Sequence, residues 1–313
     1  MKIQSIKDMI GNTPIVKVND EISYFAKIEG FNLFGSVKDR AAKYLLEQAY
    51  KDAIINNSTE IIESSSGNFG IALAGMCMIT GNKFTCVIDP NITDVNKQIL
   101  KLLGANLIIV DKVDANGNYV IGRIEAVKKY IDYKENVYWT NQYSNKYVWQ
   151  SYYYSLGEEL CNEMKNIDYL FIAVSTCGTL AGTSRKVKEC FPECKIIAVD
   201  IAGSQIFSKD KKVKHISGIG TGFKPDNLKN AIYDEYIIIE EKDAILQCKK
   251  LLKQGIVVGA SSGAVACAIQ SYLKYEKKEN ADIVGIFPDR GERYVDTIYN
   301  DAWYQDKIIG SIK

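Results

Sequence analysis

The sequence predicts an α/β protein with two lobes, and three observations carry that expectation. Short apolar runs rich in β-branched residues alternate with longer stretches of helical periodicity along the chain. These runs are nearly continuous, as strands covered on both faces require, which points to mostly parallel sheets built from β–α–β units. The length of 313 residues suits roughly two domains at about 150 residues each.

Strands are expected at 60–63, 83–89, 106–110, 169–173, 195–200, 236–239 and 283–287. Helices are expected at 39–52, 69–80, 93–103, 119–134, 147–164, 179–191, 241–253 and 264–276. The polar stretch Asn141-Gln142-Tyr143-Ser144-Asn145 suits a segment crossing between lobes, near residues 140–150. No fixed-period repeat or low-complexity tract interrupts the pattern.

Composition narrows the function. Lysine and arginine total 39 against 38 aspartate and glutamate, for a net charge of +1. That balance gives no electrostatic reason to expect nucleic acid or an anionic membrane as partner. The charge runs 209–214 and 274–279 read as solvated loops or helix ends. The apolar stretches 71–79 and 255–268 fall short of the roughly 18 to 20 residues of a membrane span. Residues 1–13 carry no apolar signal core, so the expected location is the cytoplasm. The eight cysteines form no Cys-x-x-Cys pair and the single histidine is His215, which argues against a zinc site. The cysteines are therefore expected to be reduced structural thiols. With one histidine and no nucleophile-elbow motif, a histidine-based triad is not expected.

Three strand-to-helix turns share a composition: Ser64-Ser65-Ser66-Gly67-Asn68, Ser175-Thr176-Cys177-Gly178-Thr179 and Gly259-Ala260-Ser261-Ser262-Gly263. Each should place hydroxyls and unpaired N–H groups at a helix N-terminus, where phosphates and carboxylates bind. Together they suggest a pocket for several anions at the carboxyl ends of parallel strands. Lys38 lies in Gly35-Ser36-Val37-Lys38-Asp39-Arg40, at a helix start. Taken alone it is either a solvated lysine or an amine poised to form a Schiff base, which requires a lowered pKa. The segment Gly218-Ile219-Gly220-Thr221-Gly222 lacks the preceding strand and following helix of a dinucleotide loop. Its glycines are better suited to laying backbone close to a flat ligand.

Ile10-Gly11-Asn12-Thr13-Pro14, then Asn32-Leu33-Phe34-Gly35-Ser36-Val37-Lys38-Asp39-Arg40, then Ser65-Ser66-Gly67-Asn68 follow one another in order. With the later turns, they resemble the fold type II pyridoxal-phosphate family that includes cysteine synthase and cystathionine β-synthase. Leu33-Phe34 departs from that family's usual proline and small residue. A finer resemblance is to the branch that joins O-phosphoserine to glutamate on the way to diaminopropionate, a siderophore precursor. Asn141-Gln142-Tyr143, Trp149-Gln150-Ser151-Tyr152, Ile167-Asp168-Tyr169, the run Ser184-Arg185-Lys186-Val187-Lys188-Glu189 and the block Pro288-Asp289-Arg290-Gly291-Glu292-Arg293-Tyr294 carry it. Sulfide-using cysteine synthases typically have serine after that proline.

The resemblance implies an enzyme that uses pyridoxal 5'-phosphate and small amino-acid substrates. Lys38 would hold the cofactor and act as the catalytic base. Asn68 would donate to its phenolic oxygen. Ser175, Thr176, Cys177, Gly178 and Thr179 would cradle its phosphate, with Cys177 standing where the family usually has glycine or threonine. Ser261 would meet the pyridine nitrogen. Ser65, Ser66 and Gln142 would bind the substrate carboxylate, and Arg123 a second anion, with Arg290 as another candidate cation. The implied reaction is β-replacement, with phosphoserine as donor and glutamate as acceptor. A sulfide-using cysteine synthase is the alternative, and a non-catalytic binding relative the alternative of another class. The family also implies a homodimer, a smaller mobile lobe at 35–145, and a larger cofactor-binding lobe of 1–34 plus 146–313.

Overall fold

The computed structural model describes residues 3–113, 119–209, 212–276 and 281–310. The strands are β1 (Ile15–Val18), β2 (Tyr24–Ile28), β3 (Glu60–Ser64), β4 (Phe84–Ile88), β5 (Asn106–Ile109), β6 (Val137–Trp139), β7 (Tyr169–Ala173), β8 (Lys195–Ile201), β9 (Glu235–Ile239) and β10 (Ile283–Phe287). The main helices are α1 (Lys38–Lys51), α2 (Asn68–Thr80), α3 (Asp94–Leu102), α4 (Tyr119–Tyr133), α5 (Lys146–Tyr152), α6 (Glu158–Glu163), α7 (Gly178–Cys190), α8 (Glu241–Leu252) and α9 (Ala260–Glu276).

Two sheets result, as the α/β reading expects. A six-stranded sheet runs β1-β2-β10-β7-β8-β9, and a four-stranded sheet runs β5-β4-β3-β6. All pairs in the small sheet are parallel, and in the large sheet only β1 against β2 is antiparallel. β3, β4 and β10 are buried at every residue, while the edge strands β5 and β9 keep exposed positions. One apolar cluster joins Leu45, Phe69 and Ile61 of the small-sheet region to Leu170 and Ile196 of the large sheet. A second covers the other face of the large sheet, through Ile245 of α8 and Ile269 of α9.

Several elements differ from the sequence reading, each for a physical reason. β1, β2 and β6 were not expected. β2 carries Lys27 in its interior, which interrupts the apolar run. That lysine is nonetheless fully buried, with Nζ 2.6 Å from the Thr13 carbonyl, 2.9 Å from Glu159 and 2.8 Å from Glu163. The helix expected at 147–164 is broken by a π-turn at Tyr153–Gly157 between α5 and α6. The helix expected from 264 starts at Ala260, so Ser261 and Ser262 lie in its first turn and not in a loop before it.

Contrary to the expectation from sequence, the cysteines are not all reduced thiols. Cys161 of α6 and Cys190 at the end of α7 form a disulfide with Cα atoms 6.0 Å apart. The two helices pack side by side, which brings together thiols 29 residues apart in sequence. The other six cysteines are free. Of the charge runs, Lys214 is not simply solvated, because its Nζ donates to the Ile216 carbonyl at 2.6 Å. Asp210, Lys211 and residues 277–279 lie outside the described residues.

Candidate active site

The site is built where parallel strands end. β3 runs into the 64–68 turn, β7 into the 175–179 turn, and β10 into Pro288-Asp289-Arg290. Such carboxyl ends are where open α/β sheets gather ligands.

Lys38 opens α1, and its turn is pinned by the segment after β10. The Val37 N–H donates to the Pro288 carbonyl at 2.8 Å, and the Arg290 N–H donates to the Gly35 carbonyl at 3.3 Å. Ser36 forms an isolated bridge with Asp289. Inside the turn, Asp39 accepts from the Phe34 N–H at 2.6 Å, and burial lifts its carboxyl to about 7. Arg40, one residue on, is locked to Glu29 at 2.6 Å and to Glu159 at 2.5 Å. The backbone that carries Lys38 is thus fixed from both sides. The unusual Phe34 lies over Gly75 of α2, where a Cβ would stand 2.3 Å from the ring. A glycine on the facing helix absorbs that departure from the family pattern.

The Lys38 side chain is half-buried, and its Nζ donates to Thr176 Oγ1 at 3.1 Å. Loss of hydration lowers the amine to about 8. A neutral amine is accessible near neutral pH, as imine formation needs.

Thr176 belongs to the turn before α7. Cys177 holds a left-handed φ of 61° there, and the Ala181 N–H makes a 2.9 Å bond back to Cys177. The N–H groups of Gly178, Thr179 and Leu180 precede that first α-helical bond and are free for an anion. Ser175 Oγ donates to the Gly220 carbonyl at 3.3 Å, and the Gly220 N–H donates to the Val174 carbonyl at 2.7 Å. The glycine-rich segment therefore lies along this turn. Gly220 has a φ of 68°, and a Cβ there would stand 2.8 Å from Ile201 and Ser204.

In the 64–68 turn the side chains are spoken for. Ser65 Oγ accepts from the Gly70 N–H at 3.0 Å. Ser66 Oγ donates to Asp89 at 2.8 Å and accepts from Arg123 at 2.8 Å. Arg123 is buried, pairs with Asp89 at 3.1 Å, and keeps a buried Nε without a protein partner. It braces the turn through Ser66 and Asp89. Gln142 donates through Nε2 to the Ser64 carbonyl at 3.0 Å. The buried Glu63 accepts from the Gln142 N–H at 3.1 Å and from Thr140 at 2.6 Å, and burial raises its pKa. Asn68 Nδ2 donates to Asp289 at 2.6 Å, while its Oδ1 accepts from Arg293. Ser261, in the first turn of α9, is buried. Arg290 is exposed and directs Nε to the Gly30 carbonyl.

The structure thus brings Lys38 to Thr176, Gln142 to the 64–68 turn, and Arg123 to Ser66. Residues not singled out by the sequence reading complete the frame. Asp89 holds Ser66 and Arg123. Asn227 donates through one amide to the Gln142 carbonyl at 3.0 Å and the Thr176 carbonyl at 3.1 Å, tying two of the turns together. Nothing local in the sequence marks these roles, because Asn227 lies 85 residues from Gln142. Asp289 and Arg293 fall in the 288–294 block, which the sequence reading connected with the acceptor and not with Asn68.

These features fit pyridoxal phosphate. An amine with lowered pKa stands 3.1 Å from Thr176, the N–H groups and hydroxyls of that turn suit a phosphate, and Ser261 is a buried hydroxyl residue.

Comparison with known proteins agrees. The sequence model of the pyridoxal-phosphate dependent enzyme family matches residues 6–289. An O-acetylserine dependent cystathionine β-synthase from Helicobacter pylori is similar at 31% identity and TM-score 0.89, covering 96% of this chain and 100% of that one. A hydrogen sulfide-producing enzyme from Fusobacterium nucleatum matches at 30% identity and TM-score 0.87, over 94% and 100%. An O-ureido-L-serine synthase matches at 25% identity and TM-score 0.87, over 98% and 96%. The fold, the lysine turn and these matches lead to one conclusion: the chain belongs to the pyridoxal-phosphate dependent enzymes.

Proposed function

We propose that this enzyme replaces the β-substituent of a serine-type amino acid, with O-phospho-L-serine as donor and L-glutamate as acceptor. The products are N-(2-amino-2-carboxyethyl)-L-glutamate and phosphate. The observation that carries the reaction class is the half-buried Lys38 amine, lowered to about 8 and 3.1 Å from Thr176 in the turn that opens α7. Three similar structures support it, since each is described as acting in cystathionine, hydrogen sulfide or O-ureidoserine chemistry.

In this reading Lys38 holds the cofactor, Asn68 faces its phenolic oxygen, and Ser261 its ring nitrogen. The turn of Ser175, Thr176, Cys177, Gly178 and Thr179 takes its phosphate through N–H groups at the start of α7. Bound pyridoxal phosphate supplies an electron sink for charge developing at the substrate Cα. Ser65, Ser66 and Gln142 orient the substrate carboxylate, Ser66 through its N–H because its hydroxyl is engaged by Asp89 and Arg123. Lys38 Nζ is the base that would take the proton from the substrate Cα and return it. Arg123 lends positive charge to the carboxylate end of the cleft by holding the Ser66 turn.

Glutamate is favoured as acceptor by the segments of the finer resemblance, above all Asp289 in place of serine after Pro288. The similar hydrogen sulfide-producing enzyme supports a second reading, cysteine synthesis from sulfide. One competition separates them. Holoenzyme is given phosphoserine with glutamate and sulfide together, and products are identified by mass. The expected product is the glutamate adduct; cysteine alone would overturn the acceptor assignment.

A further inference from the structure

We propose that Asp289 is a positioning residue that gives the Asn68 amide a single orientation. This rests on the reading that Asn68 faces the cofactor held by Lys38.

Asn68 is the first residue of α2. Its Nδ2 donates to Asp289 Oδ2 at 2.6 Å, and its Oδ1 accepts from Arg293. An ionised carboxylate accepts hydrogen bonds and cannot donate; a guanidinium donates and cannot accept. An amide set between the two has one favourable sense, nitrogen toward Asp289 and oxygen toward Arg293. With one Nδ2 hydrogen committed to Asp289, the other is the donor left for a ligand. The amide oxygen, which would repel an anionic phenolic oxygen, is held away by Arg293.

Asp289 is built to hold this position. It is 1% exposed, and Tyr294 donates to the same Oδ2. Its backbone is fixed by the bridge to Ser36 and by the Gly259 N–H, 3.4 Å from its carbonyl. Oδ1 has no partner and packs against Gly259, where a Cβ would stand only 2.2 Å away. A buried carboxylate oxygen left unpaired carries a desolvation cost. Asp289 also bridges to the Lys38 turn, so the lysine and the asparagine share one support.

A double-mutant cycle on the holoenzyme tests this, with Asp289→Asn, Asn68→Ala and the pair. The readouts are cofactor dissociation constant, visible absorption, kcat and KM for phosphoserine. Asp289→Asn keeps the size of the side chain but replaces the charged acceptor of Nδ2 with a group that both donates and accepts, so Arg293 alone is left to set the sense of the Asn68 amide. The expected result is a displaced visible band, cofactor binding weaker by about tenfold, and kcat lower by about tenfold at near-constant KM. In the Asn68→Ala background the same change should add less than about twofold, because Asp289 acts through Asn68. Effects that multiply in the double variant would make Asp289 a general structural residue and overturn the proposal. So would a wild-type spectrum and affinity in Asp289→Asn while Asn68→Ala is impaired. A silent Asn68→Ala would instead overturn the placement of Asn68 at the cofactor, and this inference with it. If Asp289→Asn does not fold, Asp289→Ser takes its place in the same cycle.

Discussion

The 64–68 turn and the 175–179 turn have nearly the same composition, but the rest of the molecule engages their side chains differently. In the first, Ser65 caps Gly70, Ser66 is held by Asp89 and Arg123, and Asn68 by Asp289 and Arg293. In the second, the hydroxyl of Thr176 meets Lys38, Cys177 adopts a left-handed φ of 61°, and the helix N–H groups that follow are open. Hydroxyls and glycine at a strand-to-helix turn therefore do not define a binding role. What does is whether the rest of the molecule has already satisfied them. In the first turn the side chains are already held by neighbours; in the second the N–H groups that open α7 come before the first helical bond.

The sharpest way to break the contrast is to remove the support of the first turn. Arg123→Ala leaves Asp89 buried without its guanidinium, and Ser66 with only the Asp89 N–H as donor. Loss of one partner of such a pair should cost about 3 kcal/mol, read by chemical denaturation. It should also raise KM for the amino acid while leaving cofactor affinity near wild type. A stability change under about 0.5 kcal/mol would mean that Ser66 and Asp89 hold the turn without it.

The second turn should respond through ligand affinity instead. Thr179→Ala is expected to weaken cofactor binding by about 1 to 2 kcal/mol, the scale of one hydrogen bond to a charged group. An unchanged dissociation constant would show that only the backbone N–H groups of α7 matter.

Lys38 sharpens the same comparison through pH. Desolvation brings its amine from 10.5 to about 8. The neutral form is the one that captures an aldehyde, so cofactor loading should speed up as pH rises and level off above about 8. At pH 7 the neutral fraction, and with it the loading rate, should be about one-tenth of the plateau. Stopped-flow absorbance on apoenzyme checks this; a rate still climbing at pH 10 would place Lys38 at its ordinary value.

The smallest effect is expected at Cys177. A side chain in the left-handed region costs about 1 kcal/mol that glycine avoids. Cys177→Gly should therefore keep full cofactor affinity and shift stability by no more than about 1 kcal/mol.

Much of the fold was legible because it depends on local pattern. The apolar runs at β3, β4, β7, β8 and β10 and the helices between them gave the parallel α/β architecture. The elements that were missed owe their stability to distant partners. β2 looks unlike a strand because of Lys27, which is tolerated only because Glu159 and Glu163 receive its charge from α6. The first turn of α9 reads as loop because Ser261-Ser262-Gly263 has turn composition; its tight start is fixed by the Ser262 N–H, 3.0 Å from the Gly259 carbonyl. The disulfide was invisible because it depends on the side-by-side packing of α6 and α7. In the site, Lys38 and its motif could be named from sequence. Asp89, Asn227 and Arg293 could not, since each acts on a residue brought near only by folding, 225 positions away for Arg293 and Asn68.

The proposed chemistry requires that one particular lysine, Lys38, hold the cofactor. Borohydride fixes pyridoxal phosphate to whichever amine it occupies, and digestion with mass analysis then locates the adduct. The expected result is one modified peptide, bearing Lys38, with no adduct in the Lys38→Ala protein and turnover there lower by about 10²-fold to 10⁴-fold. A stoichiometric adduct on any other lysine would contradict the account.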